Sequence, residues 1–203
     1  MFIPPLFDEM NRTRSMLVSA MRELAHAGVR SVLPDLPGCN ESTAPMQEQT
    51  LDNWRAAMAA AAEQLGATHI ATLRGGALLA GDIARPQWLL APAKGASLLK
   101  TMLRTRIAAD REAGIVSTAE ALLAEANEHP VELAGYSLSA AMLFSLEHFE
   151  TTKRATTREV TLGDGPDAIG GTPLWLRAEP QSNAAMSVAI AADLDRWSAS
   201  CGE

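Results

Sequence analysis

Apolar and polar positions alternate along this chain in two periods, and each change of period marks an element. Residues 11–27 carry Met16, Leu17, Ala20, Met21 and Leu24 at the three- and four-residue steps of an amphipathic helix. Gly28 stands where a helix-ending glycine belongs. Residues 29–33 then read as a strand, and 35–45 as a loop holding two prolines and a glycine. A second helix spans 51–65, with Trp54, Met58, Ala61 and Leu65 on one face and Gly66 closing it. A strand at 67–73, a small-residue helix at 75–84 and a strand at 87–91 follow. Helix 96–110 comes next, and Ser117-Thr118-Ala119-Glu120 reads as a capping box opening a helix to Asn127.

Residues 131–134 are again strand-like and lead into a helix at 138–149. The polar run 150–158 reads as a flexible connection within one domain. Strands at 160–162 and 174–178 precede a final helix at 183–198. Strands alternating with helices predict an α/β fold, a mainly parallel sheet with helices on both faces, in a single domain over 1–203. Ligands in such sheets sit at the carboxyl ends of the strands, so candidate chemistry is sought just after each one.

Composition narrows the partners. Of 203 residues, 17 are Lys or Arg and 24 are Asp or Glu, a formal net charge of −7 that argues against nucleic acid and anionic membrane. The apolar run 77–84 is broken by Asp82 and falls well short of the roughly 20 residues a bilayer requires, so no membrane insertion is expected. With no basic, apolar leader at Met1-Phe2-Ile3-Pro4-Pro5, the expected location is cytoplasmic. Cys39 and Cys201 are too few for a disulfide framework or a metal site, and no cofactor is expected.

Three strand ends carry the distinctive residues. The first is Pro4-Pro5-Leu6-Phe7-Asp8-Glu9-Met10-Asn11, the second Asp35-Leu36-Pro37-Gly38-Cys39-Asn40-Glu41-Ser42, and the third the sharp turn Thr72-Leu73-Arg74-Gly75-Gly76. The loop with Asp35, Gly38 and Ser42, followed by a helix and then a strand, turn and small-residue helix, resembles the first half of the α/β-hydrolase fold. In that fold such a turn is the nucleophile elbow, G-x-S-x-G.

The chain resembles more closely the hydrolase 2 group associated with exosortase A and exopolysaccharide loci. The matching residues include Glu9-Met10-Asn11 with Arg14, Asp35-Leu36-Pro37-Gly38-Cys39, and Leu73-Arg74 with Gly76-Ala77-Leu78-Leu79-Ala80. Leu103-Arg104-Thr105-Arg106, Ala134-Gly135-Tyr136, and Trp175 with Glu179-Pro180 extend the resemblance over nearly the whole chain. The chain departs from that group at Asp8, Asn40 and Thr72, where the group tends to have Glu, Gly and Gly. The resemblance implies a compact α/β-hydrolase-like fold and, nominally, a hydrolase.

A hydrolase triad places its acid and its histidine after later strands, in the order Ser, Asp/Glu, His. Here the elbow holds Arg74, whose guanidinium stays protonated and cannot attack. None of His26, His69, His129 and His148 follows the last expected strand, and Glu179 stands in that place. Gly135-Tyr136-Ser137-Leu138-Ser139 mimics the elbow motif, but Ser137 or Ser139 reads better as a helix cap, with Ser137 the expected one.

Arg74, Glu9 and Glu179 are therefore the candidate catalytic or replaced-triad residues, with Arg74 expected to face Glu179 and Glu9 as the competing partner. Asn11, Asp35, Gly75 and Gly76 are candidate cleft residues. Asn11 reads equally as a helix cap, and Asp35 more readily as a loop-shaping carboxylate. Arg104 and Arg106 form a possible small anion patch.

Three functions stay open. Arg74 recognises an anionic small molecule at the start of the Gly75 helix. Alternatively, Glu9, Asp35 or Glu179 activates water directly. Or the chain is a non-catalytic pseudo-hydrolase that binds a protein partner, with an oligomer also open.

Overall fold

A computed structural model describes residues 1–151, 156–165 and 167–201. In chain order the regular elements are β1 (Phe2–Ile3), α1 (Asp8–His26), α2 (Leu51–Gln64), β2 (Ile70–Leu73), β3 (Gln87–Leu90) and α3 (Gly95–Glu112). There follow α4 (Ala119–Glu125), β4 (Val131–Leu133), β5 (Tyr136–Leu138), α5 (Ala140–His148), β6 (Thr157–Leu162), β7 (Ala168–Ile169) and α6 (Ala184–Ser200). The main sheet runs β1-β2-β3-β6-β7, every neighbouring pair parallel, as the alternation of strands and helices predicts.

Both faces of that sheet are covered. Phe2, Ala71, Leu73, Trp88, Leu90 and Val160 pack with α1 and α6. Ile3, Ile70 and the helices α2, α3 and α5 form the second core. Strand side chains alternate between the two cores because successive Cβ atoms point to opposite faces. No helix of the described residues is long and apolar enough to cross a membrane.

Several expectations are corrected. Helix α1 starts at Asp8, three residues before Asn11, so Asn11 is a first-turn residue and not its cap. Segment 29–33 is no regular strand, although the Val32 carbonyl accepts a 2.8 Å bond from the Phe2 amide and so lies along β1. The expected helix 75–84 is a 3-10 turn, Arg74–Leu79, in which two glycines weaken helical propensity. The cap of α4 is Thr118, whose side chain accepts from the Ala121 amide, in place of Ser117. Residues 152–155 of the polar run lie outside the described residues.

The largest revision concerns residues 131–139. Val131 pairs with Leu138 and Leu133 with Tyr136, an antiparallel hairpin closed by Ala134 and Gly135 at φ 53° and 80°. Two central residues at positive φ are the turn that matches strand twist. Ser137 lies in β5 opposite Glu132, and Ser139 caps α5 by accepting from the Met142 amide at 3.3 Å. The expected strand 174–178 is a 3-10 turn, Leu174–Leu176, behind Pro173, and the sheet ends instead at the two-residue β7.

Candidate functional site at the strand carboxyl ends

Arg74 follows β2 directly and adopts φ 51°, a left-handed conformation that costs a non-glycine residue roughly 1–2 kcal/mol. The turn is tight on both sides. A Cβ on Gly76 would stand 2.5 Å from the Pro4 carbonyl oxygen and 2.8 Å from that of Ile3. One on Gly75 would stand 2.5 Å from Cδ1 of Leu98. Both glycines are thus set by close approach, and at Gly76 the obstacle is backbone.

The turn aims the Arg74 side chain across the ends of β1 and β3. Its Nε donates to Oε2 of Glu9 at 3.2 Å, and Nη2 donates to Oε1 at 3.1 Å, a bidentate pair. Nη1 donates to the Ala91 carbonyl at 3.2 Å. Ala91 directly follows β3 and is itself at φ 45°. The guanidinium lies over the Trp175 ring, 4.8 Å from its centroid. The Glu9 side chain is 11% exposed and that of Arg74 21%, so the pair is largely shut away from water.

Glu9 reaches this place because α1 begins so early, with Asp8 and Glu9 in its first turn, where carboxylates suit the helix dipole. Burial pushes its pKa up, against the pull of Arg74. Asp8 pairs with Arg12 at 2.8 Å, and Arg12 Nη1 donates to the Trp175 carbonyl at 2.8 Å. Two arginines therefore hold Trp175, one by its ring and one by its backbone.

The competing partner, Glu9, takes Arg74. Glu179 lies on an exposed stretch after the 3-10 turn Leu174–Leu176, and the pair expected between it and Arg74 does not form. The positional reasoning failed because the strand meant to carry Glu179 to the cleft is not a strand. Asp35 accepts from Arg14 Nη1 at 3.0 Å and from Asn40 Nδ2 at 2.8 Å, and the Ser42 hydroxyl accepts from the Gly38 amide at 3.0 Å. These bonds shape the loop after segment 29–33. The fully buried Trp54 anchors it by donating from Nε1 to the Pro37 carbonyl at 2.8 Å.

Cys39 is buried, and burial together with the nearby Asp35 raises its thiol pKa to about 11, which leaves it protonated and unreactive. The hairpin brings Tyr136 against Phe7, ring centroids 5.5 Å apart. Burial raises the Tyr136 phenol to about 12, partly offset by a hydrogen bond with Asn11. Arg12 and Tyr136 were not among the candidate site residues. The Asp8–Arg12 spacing of four residues was the readable signal for the first.

The described arrangement holds no nucleophile–base pair at the elbow. His129 bonds Glu125, and His148 bonds the Phe144 carbonyl on its own helix. His69 just precedes β2, at the opposite end of the sheet. A cavity of about 610 Å³ lies at that amino-terminal end, lined by Val29, Ala67, His69 and Trp197, away from Arg74. Ligands of open α/β sheets bind at the carboxyl ends, so the elbow remains the site to explain. Compared with known proteins, the chain matches no family model, and no curated protein matches it.

Proposed function

We propose that this chain is a non-catalytic, hydrolase-like protein that acts by binding a partner, in the exosortase and exopolysaccharide setting its sequence resembles. The observation that supports it best is the closed elbow: Arg74 stands where a nucleophile would, bonded to Glu9 and stacked on Trp175. A guanidinium that stays protonated can neither attack a carbonyl nor take up a proton. The left-handed backbone of Arg74 directly after a strand supports the comparison with such an elbow.

Recognition of an anion by Arg74 is the runner-up. It requires Glu9 to release the guanidinium. The site it was expected to share, a helix N-terminus at Gly75, is a short 3-10 turn already packed against Pro4 and Leu98.

The test is a panel of activated esters with the wild type, Glu9→Gln and Ser137→Ala, alongside a fluorophosphonate probe. The expected result is background hydrolysis in all three and no labelling at Ser137. Turnover that disappears in Glu9→Gln would establish a carboxylate-driven hydrolase and end this reading.

A further inference from the structure

Helices α3 and α4 leave an apolar groove of about 380 Å³ between them, floored by Leu99, Leu103, Ile107 and Leu123. Lys100 and Arg104 stand on its α3 rim, four residues apart and so on one helix face. Both are exposed, and neither makes a hydrogen bond or ion pair among the described residues. Arg106, which completes the expected anion patch, is instead occupied by Asp110 at 2.8 Å and by the Glu132 carbonyl at 2.8 Å. Glu147 of α5 also lines the groove. One turn before Glu147, Phe144 leaves 65% of its surface in water, and Val116 in the connection between α3 and α4 leaves 96%.

An apolar floor edged by two unpaired cations of α3 specifies its occupant by charge. We propose that this groove docks an amphipathic helix of a protein partner, its apolar stripe flanked by acidic residues facing Lys100 and Arg104. Anchors at i, i+3 or i+4, and i+7 fit a groove between two helices. A second copy is a poor occupant, because two chains of net charge −7 repel. This proposal rests on the partner-binding reading and gives that partner a surface. It is independent of the elbow, so failure here leaves the ester result standing, and ester turnover leaves the groove untouched.

The probe is a labelled helical peptide of about 18 residues, with Leu at the anchor positions and Glu four residues apart on one flank, read by fluorescence anisotropy. A second peptide carries Lys in place of each of those Glu residues. The full chain is compared with its Lys100→Glu/Arg104→Glu form, whose fold is checked by circular dichroism.

The wild type is expected to prefer the Glu peptide, with affinity falling roughly tenfold in the charge-reversed protein. That protein is expected to prefer the Lys peptide. Equal binding of both peptides, or binding of neither, would overturn the proposal. So would displacement of the Glu peptide by decanoate at lower concentration than by unlabelled peptide, which would assign the groove to an acyl ligand. Self-association of the wild type that is lost in Lys100→Glu/Arg104→Glu on sedimentation would assign it to a second copy and equally overturn it.

Discussion

Arg74 stacks its guanidinium on the ring of Trp175, Cζ lying 4.8 Å from the ring centroid. Trp175 is 5% exposed, and its neighbour Leu174 packs in the core formed with α1 and α6. The contact ties the segment between β7 and α6 to the turn after β2, and with Glu9 it closes the carboxyl end of that strand. The turn after β2 is a closed structural joint.

The joint is expected to depend on both members of the ion pair. Arg74→Met leaves the Glu9 carboxylate largely buried without its counter-charge, which destabilises by about 3 kcal/mol. Adding Glu9→Leu to Arg74→Met removes the stranded charge and is expected to recover at least half of that loss. Urea midpoints of the wild type, the single and the double variant measure this. A double variant less stable than Arg74→Met would show that the carboxylate was never stranded.

The pH dependence of the pair has a definite sign. Glu9 has a folded-state pKa raised above its ordinary 4.5, by burial against the pull of Arg74, so between those values the native state holds more protons than the unfolded one. Its contribution to stability is therefore full below about pH 4.5 and is lost as pH rises through the folded value. Relative to Glu9→Gln, which does not titrate, the wild type is expected to gain stability on going from pH 7 to 4.5. Asp193 has the opposite sign. Burial works against its carboxylate, but the bonds from Arg158 and Trp88 outweigh it and hold its pKa below 3.8. Relative to Asp193→Asn, stability is lost only as pH falls below that ordinary value. A flat difference between wild type and Glu9→Gln from pH 7 to 4.5, in matched urea titrations, would contradict the first half.

The two elbow glycines are expected to respond differently to alanine. At Gly76 the new Cβ meets the backbone carbonyls of Pro4 and Ile3, which are fixed by β1, so Gly76→Ala costs about 2–3 kcal/mol. At Gly75 the nearest obstacle is the far end of Leu98, which can rotate away, so Gly75→Ala costs about 1 kcal/mol. Thermal melts of the two variants decide the order, and equal losses would mean that β1 yields as readily as a leucine methyl.

The alternation of strands and helices was legible because apolar period reports burial, and burial on two faces is what a parallel sheet demands. What failed were short elements without a period of their own. β7 has two residues, Ala168 and Ile169, and its place in the sheet comes from Leu162 and Thr161 beside it. Leu174-Trp175-Leu176 has the apolar content of a strand but follows Pro173, turns into a 3-10 turn, and leaves Glu179 outside the cleft. At the site, Arg74 was readable as the charged residue of a sharp turn after a strand, and Glu9 only as a competing partner. The choice between Glu9 and Glu179 depended on where α1 begins and where the sheet ends, and neither is written in local pattern.

The hairpin turn gives the last prediction. Ala134 and Gly135 occupy the two central positions of a turn that requires positive φ at both, and Ala134 sits at φ 53°. Its Cβ makes that conformation unfavourable by roughly 1–2 kcal/mol, whereas Asn tolerates it better because its short side chain bonds locally. Asn-Gly is also the pair preferred at these positions. Ala134→Asn is therefore expected to stabilise the chain by about 0.5–1 kcal/mol, seen as a higher thermal midpoint with an unchanged circular dichroism spectrum. Ala134→Val, branched at Cβ, is expected to lose about 1 kcal/mol or more at the same position. Were residues 136–139 the start of a helix carrying Ser137 at its cap, Ala134 would lie outside any tight turn and Asn there would be neutral. A neutral result for Ala134→Asn together with a neutral Ala134→Val would remove the hairpin, and with it the reason Ser137 is no elbow serine.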